Sequence, residues 1–454
     1  MRFLPDLANG QRDLRVAVVG FGYVGSCLGV ALAERGATVH GVDSDRSLIA
    51  ALRGGDRVFD EPGMSAAWAR LAAAGRLTVG TELGAVSGSD VVLVTVGTPI
   101  DADGGFVADA LATACGGLGR VLTRGQLVIV KSTVPPGTTR QLVRPLLESG
   151  GLVAGRDFGL AYCPERLAEG AALAQLPTLP VVVGGLDPDS GEAAAAFWTG
   201  SLGVPTVAVD GPEIAELVKL ADNWWIDANV ALANELAQVC GVLGIDALDV
   251  IGAANTLPKG DSRVNILRPS IGVGGSCLPK DPPMLARIAR DKGVQLHTVT
   301  TARAVNDAMP QYSFELIRDE LAKLGKPVGG ARIAVLGLAF KNETGDLRLT
   351  PVRPLVAALV EAGAVTALYD PLADPAAVRA MFGAPLESSL EHTVAGADCV
   401  AVLAGHRAFH QLDLDWLAAS VAMPCLLFDG RAYYPRATVA RLRALGFAYR
   451  GIGR

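Results

Sequence analysis

The 454-residue chain is half hydrophobic and carries a net charge of −6. That balance provides cores for two to four domains and argues against a nucleic-acid binder, so any anionic ligand must be held by local positive groups. No apolar run reaches the ~20 residues that span a bilayer, Met1 to Asp13 lack the apolar core of a signal peptide, and the seven cysteines show no CxxC spacing, so we expect a cytoplasmic protein with no membrane partner and no metal centre.

Arg15–Val19 reads as a strand running into Gly20-Phe21-Gly22-Tyr23-Val24-Gly25, followed by an apolar helix to Glu34 that Gly36 would end. The next strand is predicted over 37–42, with Asp43 at its tip. Gly20 permits a tight turn, Gly22 lets backbone approach a pyrophosphate, and Gly25 allows the helix to pack on the sheet. Tyr23 and Val24 lie inside the same turn. Asp43 falls 23 residues after Gly20, where an acid accepts from a ribose 2′-OH and repels a 2′-phosphate. This unit predicts NAD as cofactor, although Arg46 close by softens the preference over NADP.

Strands are predicted at 91–96, 127–130, 159–162 and 181–183, alternating with helices or loops. Together they predict a doubly wound parallel sheet within residues 1–205. The pattern then changes to one long helix over 212–240, opened by Pro212. At 1.5 Å per residue it would span roughly 44 Å. Its apolar residues, from Ile214 to Leu232, serve more than one buried face, so it could join two domains and pack on a second subunit.

A third region echoes the first. Arg332-Ile333-Ala334-Val335-Leu336-Gly337 repeats Arg15 to Gly20, and Asp370 takes the place of Asp43. No fingerprint glycines follow Gly337; Lys341 and Arg348 stand there instead, which suits a phosphate-bearing ligand held by side chains. The predicted fold is therefore α/β. Two Rossmann-like doubly wound domains (1–205 and 325–454) are joined by a long central helix and a helical domain (206–324).

Cys277 sits in Gly274-Gly275-Ser276-Cys277-Leu278-Pro279-Lys280-Asp281. Interconverting alcohol and carbonyl needs no thiol; a thiol is useful when oxidation continues past the aldehyde to a carboxylate. Only a few per cent of an ordinary thiol is ionised at neutral pH, so a nearby cation would help. The plainer alternative is a buried small hydrophobe. Gly274 and Gly275 would allow close approach of a ligand. Lys219 and Asn223 are four apart and share a helix face in an apolar stretch. None of the five histidines falls in a motif, so no histidine base is expected.

These blocks, with Val96-Gly97-Thr98-Pro99, Lys131 through Thr138, Cys163-Pro164-Glu165-Arg166 and Gly337 through Pro351, occur in order over about residues 15 to 440. The chain thereby resembles the nucleotide-sugar 6-dehydrogenases: UDP-glucose, GDP-mannose and UDP-N-acetylmannosamine dehydrogenases. The resemblance implies an NAD-binding, a central and a sugar-nucleotide-binding domain. It also implies a homodimer built on the long helix, and oxidation of C6 from alcohol to acid with two NAD+ per turnover. Cys277 would trap the aldehyde as a thiohemiacetal, which is oxidised to a thioester and released by water.

By the same resemblance, Lys219 and Asn223 would stabilise the alkoxide and tetrahedral adducts, and Asp281 would activate water or position the lysine. Glu165 and Glu169 would contact the substrate region, with Glu169 a candidate for water activation, and Arg166, Leu167 and Gly274 would lie against the sugar. Thr98 would contact NAD, and Thr133 the cofactor or the catalytic water. Arg263 matches a position that reaches the substrate of the partner subunit, Lys341 one that pairs with the pyrophosphate, and Arg348 one that meets phosphate or cofactor.

Arg166-Leu167, Arg263-Val264-Asn265 and Asp281-Pro282 are closer to the N-acetylmannosamine type, whereas Ser276 through Asp281 looks like the glucose type. We lean to UDP-glucose or dTDP-glucose. UDP-N-acetylmannosamine (or UDP-N-acetylglucosamine) is the alternative. A two-electron 3-hydroxyacid dehydrogenase and a non-catalytic nucleotide-sugar binder are more distant rivals.

Overall fold

The computed structural model describes Phe3, residues 13–55, Phe59 and residues 61–454. Most of the segment expected to lack a signal peptide lies outside the described residues. The chain forms two compact units, Met1–Asp222 and Asn223–Arg454. Among the described residues no helix is long and apolar enough to cross a membrane.

The first unit holds an eight-stranded sheet. Its strands are β1 (Arg15–Val19), β2 (Thr38–Val42), β3 (Leu77–Gly80), β4 (Val91–Val94), β5 (Leu127–Val130), β6 (Gly159–Tyr162), β7 (Val181–Gly185) and β8 (Thr206–Val209). Their order is β3-β2-β1-β4-β5-β6-β7-β8. β4, β5 and β6 are buried along their whole length, as expected of aliphatic strands covered on both faces. One core packs the helix Tyr23–Glu34 through Cys27, Leu28 and Leu32; the opposite core uses Leu111, Cys115 and Leu118.

The expectation of an all-parallel sheet needs correction. β7 pairs antiparallel to β6 through Ala161 with Gly185 and Tyr162 with Gly184. A parallel return requires a crossover that carries the chain back along the sheet. The link from β6 to β7 has only the four-residue helix Ala172–Gln175, so the chain turns back from the end it has reached. The 15-residue helix Pro188–Leu202 then provides a true crossover, and β8 is parallel to β7. β8 lies just beyond residue 205, where the sequence pattern placed the end of the sheet.

The long helix runs over Pro212–Leu243, 32 residues. The second unit takes its later part, the helices Ala247–Ala254, Asp281–Asp291 and His297–Lys323, and a ribbon of β9 (Pro258–Lys259) and β10 (Ser262–Arg263). It also holds a five-stranded parallel sheet of β11 (Arg332–Leu336), β12 (Val365–Tyr369), β13 (Cys399–Val402), β14 (Leu426–Asp429) and β15 (Ala448–Gly451), in the order β12-β11-β13-β14-β15.

The internal echo extends to single hydrogen bonds. Gly20 N–H donates to Val42 O at 2.9 Å, and Gly337 N–H to Tyr369 O at 2.8 Å. Asp43 accepts from Phe21 N at 2.7 Å, and Asp370 from Leu338 N at 2.7 Å.

Candidate active site

The turn after β1 is shaped for a dinucleotide. Gly20 has φ +91°, and a Cβ there would sit 2.6 Å from Val96 N. At Gly25 a Cβ would lie 2.4 Å from Gly20 O, so only glycine lets the helix seat. A Cβ at Gly22 meets nothing within 4 Å, and no side chain caps the helix that starts at Tyr23. Open space beside uncapped helix N–H groups suits a pyrophosphate. Asp43 is partly exposed at the tip of β2. These residues fit NAD.

The three glycines separate by substitution. Gly22→Ala should keep the melting temperature, since the change costs less than about 1 kcal/mol at a helix cap. It should lower NAD affinity at least about tenfold by filling the approach. Gly25→Ala should destabilise the fold by about 1–3 kcal/mol. Fluorescence titration with NAD and thermal unfolding read the two effects.

Tyr23 does more for the protein than its place in the turn implied. Its hydroxyl donates to Glu61 Oε2 and accepts from Gly170 N at 3.0 Å. Glu61 is buried, and its Oε1 accepts from Leu173 N at 3.1 Å. The start of the cofactor helix is thus tied to the loop carrying Glu165 and Glu169. Both of those glutamates, with Glu61, lie near enough to Cys27 to add to the burial that raises its thiol. Val24 is partly buried against the same core.

Glu165 is partly exposed and its Oε1 accepts from Leu167 N; Arg166 pairs with Asp222 at 2.9 Å. Beneath them Lys131, which the sequence did not single out, donates to Cys163 O at 3.2 Å and Pro164 O at 3.3 Å. Its ammonium sits 4.7 Å from the Trp198 ring centroid, and burial lowers its pKa while Glu165 opposes that. Thr98 is buried and Thr133 half-buried, each just past its strand. Ser132 Oγ joins their loops by donating to Val96 O at 2.7 Å. Lys219 is only 7% exposed, unlike a solvated surface lysine.

Glu216 also escaped notice. It is fully buried, and its carboxyl accepts from Gly137 N at 2.5 Å and Thr139 N at 2.8 Å. The long helix is thereby fixed to the loop after β5. Burial pushes this carboxyl up to about 7, against the pull of both N–H donors. The folded protein then holds a proton that the unfolded chain releases near 4.5. The stability this contributes is complete below 4.5 and lost as pH rises through 7. Relative to Glu216→Gln, which cannot titrate, the parent should lose about 2–3 kcal/mol between pH 5 and 8 in denaturant unfolding. A pH-independent difference would mean that the carboxylate stays ionised throughout.

Six of the seven cysteines have no bearing on the question of a nucleophile. All but Cys277 are buried, and burial raises Cys115 and Cys425 to about 12 and Cys163 to about 11, as in inert structural thiols. Cys277 is exposed. Its carbonyl accepts from Lys280 N at 3.0 Å and Asp281 N at 2.8 Å, so the thiol stands in the turn that opens the helix Asp281–Asp291. Asp281 is 1% exposed. Its Oδ2 accepts from Asn223 Nδ2 at 2.5 Å. Its Oδ1 lies 2.5 Å from Lys280 Nζ without a well-angled hydrogen bond.

On the side where a Cβ would stand, Gly274 and Gly275 meet protein. A Cβ at Gly274 would lie 2.5 Å from Leu349 O, and one at Gly275 would lie 2.6 Å from the Phe340 ring. Gly275 N also donates to Arg348 O at 2.9 Å. The glycines thereby dock the Cys277 turn onto the loop after β11. That loop carries Lys341 and Arg348, and it is strained: Glu343 and Leu349 have φ of 56° and 47°. Such strain gathers at functional loops. Arg348 Nε reaches Asp346 Oδ2 at 2.8 Å.

Below the loop, Arg431 donates to Phe340 O at 2.5 Å and Leu403 O at 2.9 Å. Asp370 accepts from Leu338 N at 2.7 Å and contacts buried His406 Nε2 at 3.1 Å. Arg263 lies exposed on β10, beside a loop held by Asn229 through Asn265 O at 2.7 Å and Leu267 N at 2.8 Å.

Comparison with known proteins places these features among relatives. Models of the UDP-glucose/GDP-mannose dehydrogenase family match residues 14–200 (NAD binding domain), 213–308 (central domain) and 334–436 (UDP binding domain). A UDP-N-acetyl-D-mannosamine dehydrogenase of Pyrococcus horikoshii is 32% identical over 444 residues, 97% of this chain and 99% of its own length. A UDP-glucose 6-dehydrogenase of Haloferax volcanii is 32% identical over 433 residues, 93% and 98% of the two lengths. Among solved structures, a UDP-glucose dehydrogenase from Pyrobaculum islandicum superposes with a TM-score of 0.86 at 29% identity, covering 98% of both chains.

Proposed function

Because the chain belongs to the UDP-glucose/GDP-mannose dehydrogenase family, we propose that it oxidises C6 of a nucleotide-linked hexose from alcohol through aldehyde to carboxylate. The observation that carries this reading is Cys277, the one exposed thiol among seven, in a turn braced by Asp281 and Asn223. NAD+, when bound by the Gly20–Gly25 turn and Asp43, supplies the hydride acceptor for both oxidations.

Cys277 Sγ adds to the C6 carbonyl, and the carbonyl oxygen takes the proton, giving a thiohemiacetal. The C–S bond persists through oxidation to the thioester. Water then adds, the C–S bond breaks, and the thiol is restored. Lys219 and Asn223, one helical turn apart, are positioning and oxyanion-stabilising groups for the alkoxide and the adducts. Asp281 holds Asn223. Glu165 and Glu169 contact the sugar region, with Glu169 the candidate for directing water. Thr98 and Thr133 face the cofactor, and Lys341, Arg348 and Arg263 hold phosphates or sugar.

For the substrate, UDP-glucose or dTDP-glucose is our first candidate, from the Ser276–Asp281 block. UDP-N-acetylmannosamine is the second, favoured by Arg166-Leu167, Arg263-Val264-Asn265 and the names of several relatives. Assay of UDP-glucose, dTDP-glucose, UDP-N-acetylmannosamine, UDP-N-acetylglucosamine and GDP-mannose, with NADH counted per sugar, tests both points. Two NADH per sugar are expected for one member. One NADH with aldehyde accumulating would overturn the four-electron reading, and binding without NADH would make the chain a sensor.

We also propose a homodimer on the long helix. Trp225, Leu232 and Val239 are each about half exposed, and their seven-residue spacing lines one apolar stripe. Leu232→Glu should shift the chain from dimer to monomer in analytical ultracentrifugation.

A further inference from the structure

We infer that the second unit contains a binding site for a polyphosphate-like anion at the carboxy-terminal end of the long helix. A cavity of about 500 Å³ opens there, lined by the helix end, the helix Arg436–Ala444 and the edge strand β15. Four arginines line it, at 436, 443, 450 and 454, against the acids Asp246 and Glu320. The concentration is local, since the whole chain is net negative.

The acids neutralise only part of it. Asp246 takes Arg454 at 3.0 Å, Glu320 takes Lys323 at 2.8 Å, and Arg436 engages Asp249 just outside the cavity. Among the described residues neither Arg443 nor Arg450 forms an ion pair. Arg450 Nε is buried and has no hydrogen-bond partner. A buried donor of this kind is costly to leave unmet, and a turn of the Arg450 side chain would offer it to a ligand oxygen in the cavity that the residue lines. The partial negative charge at a helix end attracts cations. It accounts for a basic residue nearby but not for a guanidinium N–H that bonds to nothing.

Gly241 shows that room was kept for this guanidinium. A Cβ there would lie 3.2 Å from Arg450 Nη2 and 3.5 Å from the Tyr312 hydroxyl. Glycine inside a helix costs about 1 kcal/mol relative to alanine, so its place there is consistent with a need for space.

The site is separate from the loop after β11. β15 is the edge strand, three places from β11, or about 14 Å at ~4.8 Å per strand. The Tyr449 ring in the lining already has the guanidinium carbons of Arg443 and Arg454 each 5.9 Å from its centroid. A nucleobase therefore finds its stacking surface contested, and the charge favours phosphate groups alone.

Isothermal titration of the whole enzyme with inorganic tripolyphosphate tests this, with NAD and UDP saturating so that their own sites are filled. One tripolyphosphate per chain is expected, and ATP should bind no tighter than tripolyphosphate. Arg443→Ala, on the surface, and Arg450→Gln should each weaken binding about tenfold, the worth of one charge-assisted hydrogen bond. Gly241→Ala should weaken it by displacing Arg450. Turnover without tripolyphosphate should be unchanged in Arg443→Ala. No binding under saturating UDP, or parent-like binding by both arginine variants, would overturn the site. Markedly tighter binding of ATP would overturn its assignment to phosphate alone.

Discussion

Cys277→Ser enzyme is expected to bind NAD like the parent while acid formation falls by at least about a thousandfold, the scale on which removal of a covalent nucleophile acts. No other thiol can take over, because the remaining six are buried. A serine hydroxyl is far less ionised than a thiol at neutral pH and makes a poorer trap for the aldehyde. The fold should be unaffected, since the side chain is exposed and the turn is held by its carbonyl, not its sulfur. The measurement is NADH released per sugar, with the acid quantified separately. Two NADH and full acid from the serine variant would remove Cys277 from the mechanism.

Asp281→Ala should produce the largest loss of stability. The carboxylate is 1% exposed and meets Asn223 Nδ2 and Lys280 Nζ, each at 2.5 Å. Removing it leaves a mostly buried ammonium without its counter-charge and an amide without its acceptor. Breaking such a pair from one side costs about 3–5 kcal/mol. For a unit of this size that is about 10 °C in melting temperature. Asp281→Asn keeps the volume and should lie between parent and alanine variant. If Asp281 acts by positioning Asn223, the asparagine variant should lower kcat more than it raises KM. Equal melting temperatures for parent and Asp281→Ala would sink the structural part of this account.

Much of the fold was legible because its signals are local. The glycine spacing of Gly20, Gly22 and Gly25 encodes a turn, a gap and a packing distance within six residues, and each is found. The direction of β7 was not legible, because an aliphatic run reads alike in either direction. β3 and β8 escaped because neither is an aliphatic run buried throughout: Thr78 on β3 is exposed, and Val207 on β8 is 49% exposed. Lys131, Glu61 and Glu216 were missed for another reason. Each is a charged residue whose purpose depends on partners 32 to 112 residues away in sequence, and nothing in its neighbourhood along the chain marks it as buried. Gly274 and Gly275 illustrate the converse: a glycine pair signals close approach, but the sequence does not say whether the approaching group is ligand or protein.

Asp370 shows why a repeated fold need not remain a repeated function. It occupies the position of Asp43 and accepts from the matching N–H groups, Leu338 and Leu372 where Asp43 has Phe21 and Asp45, but it is buried and meets His406 Nε2 at 3.1 Å. Ala339 and Asn342 stand where the first copy has Gly22 and Gly25. Grafting those two glycines into the second copy would not by itself make a dinucleotide pocket, because the carboxylate that would read the ribose is buried against His406.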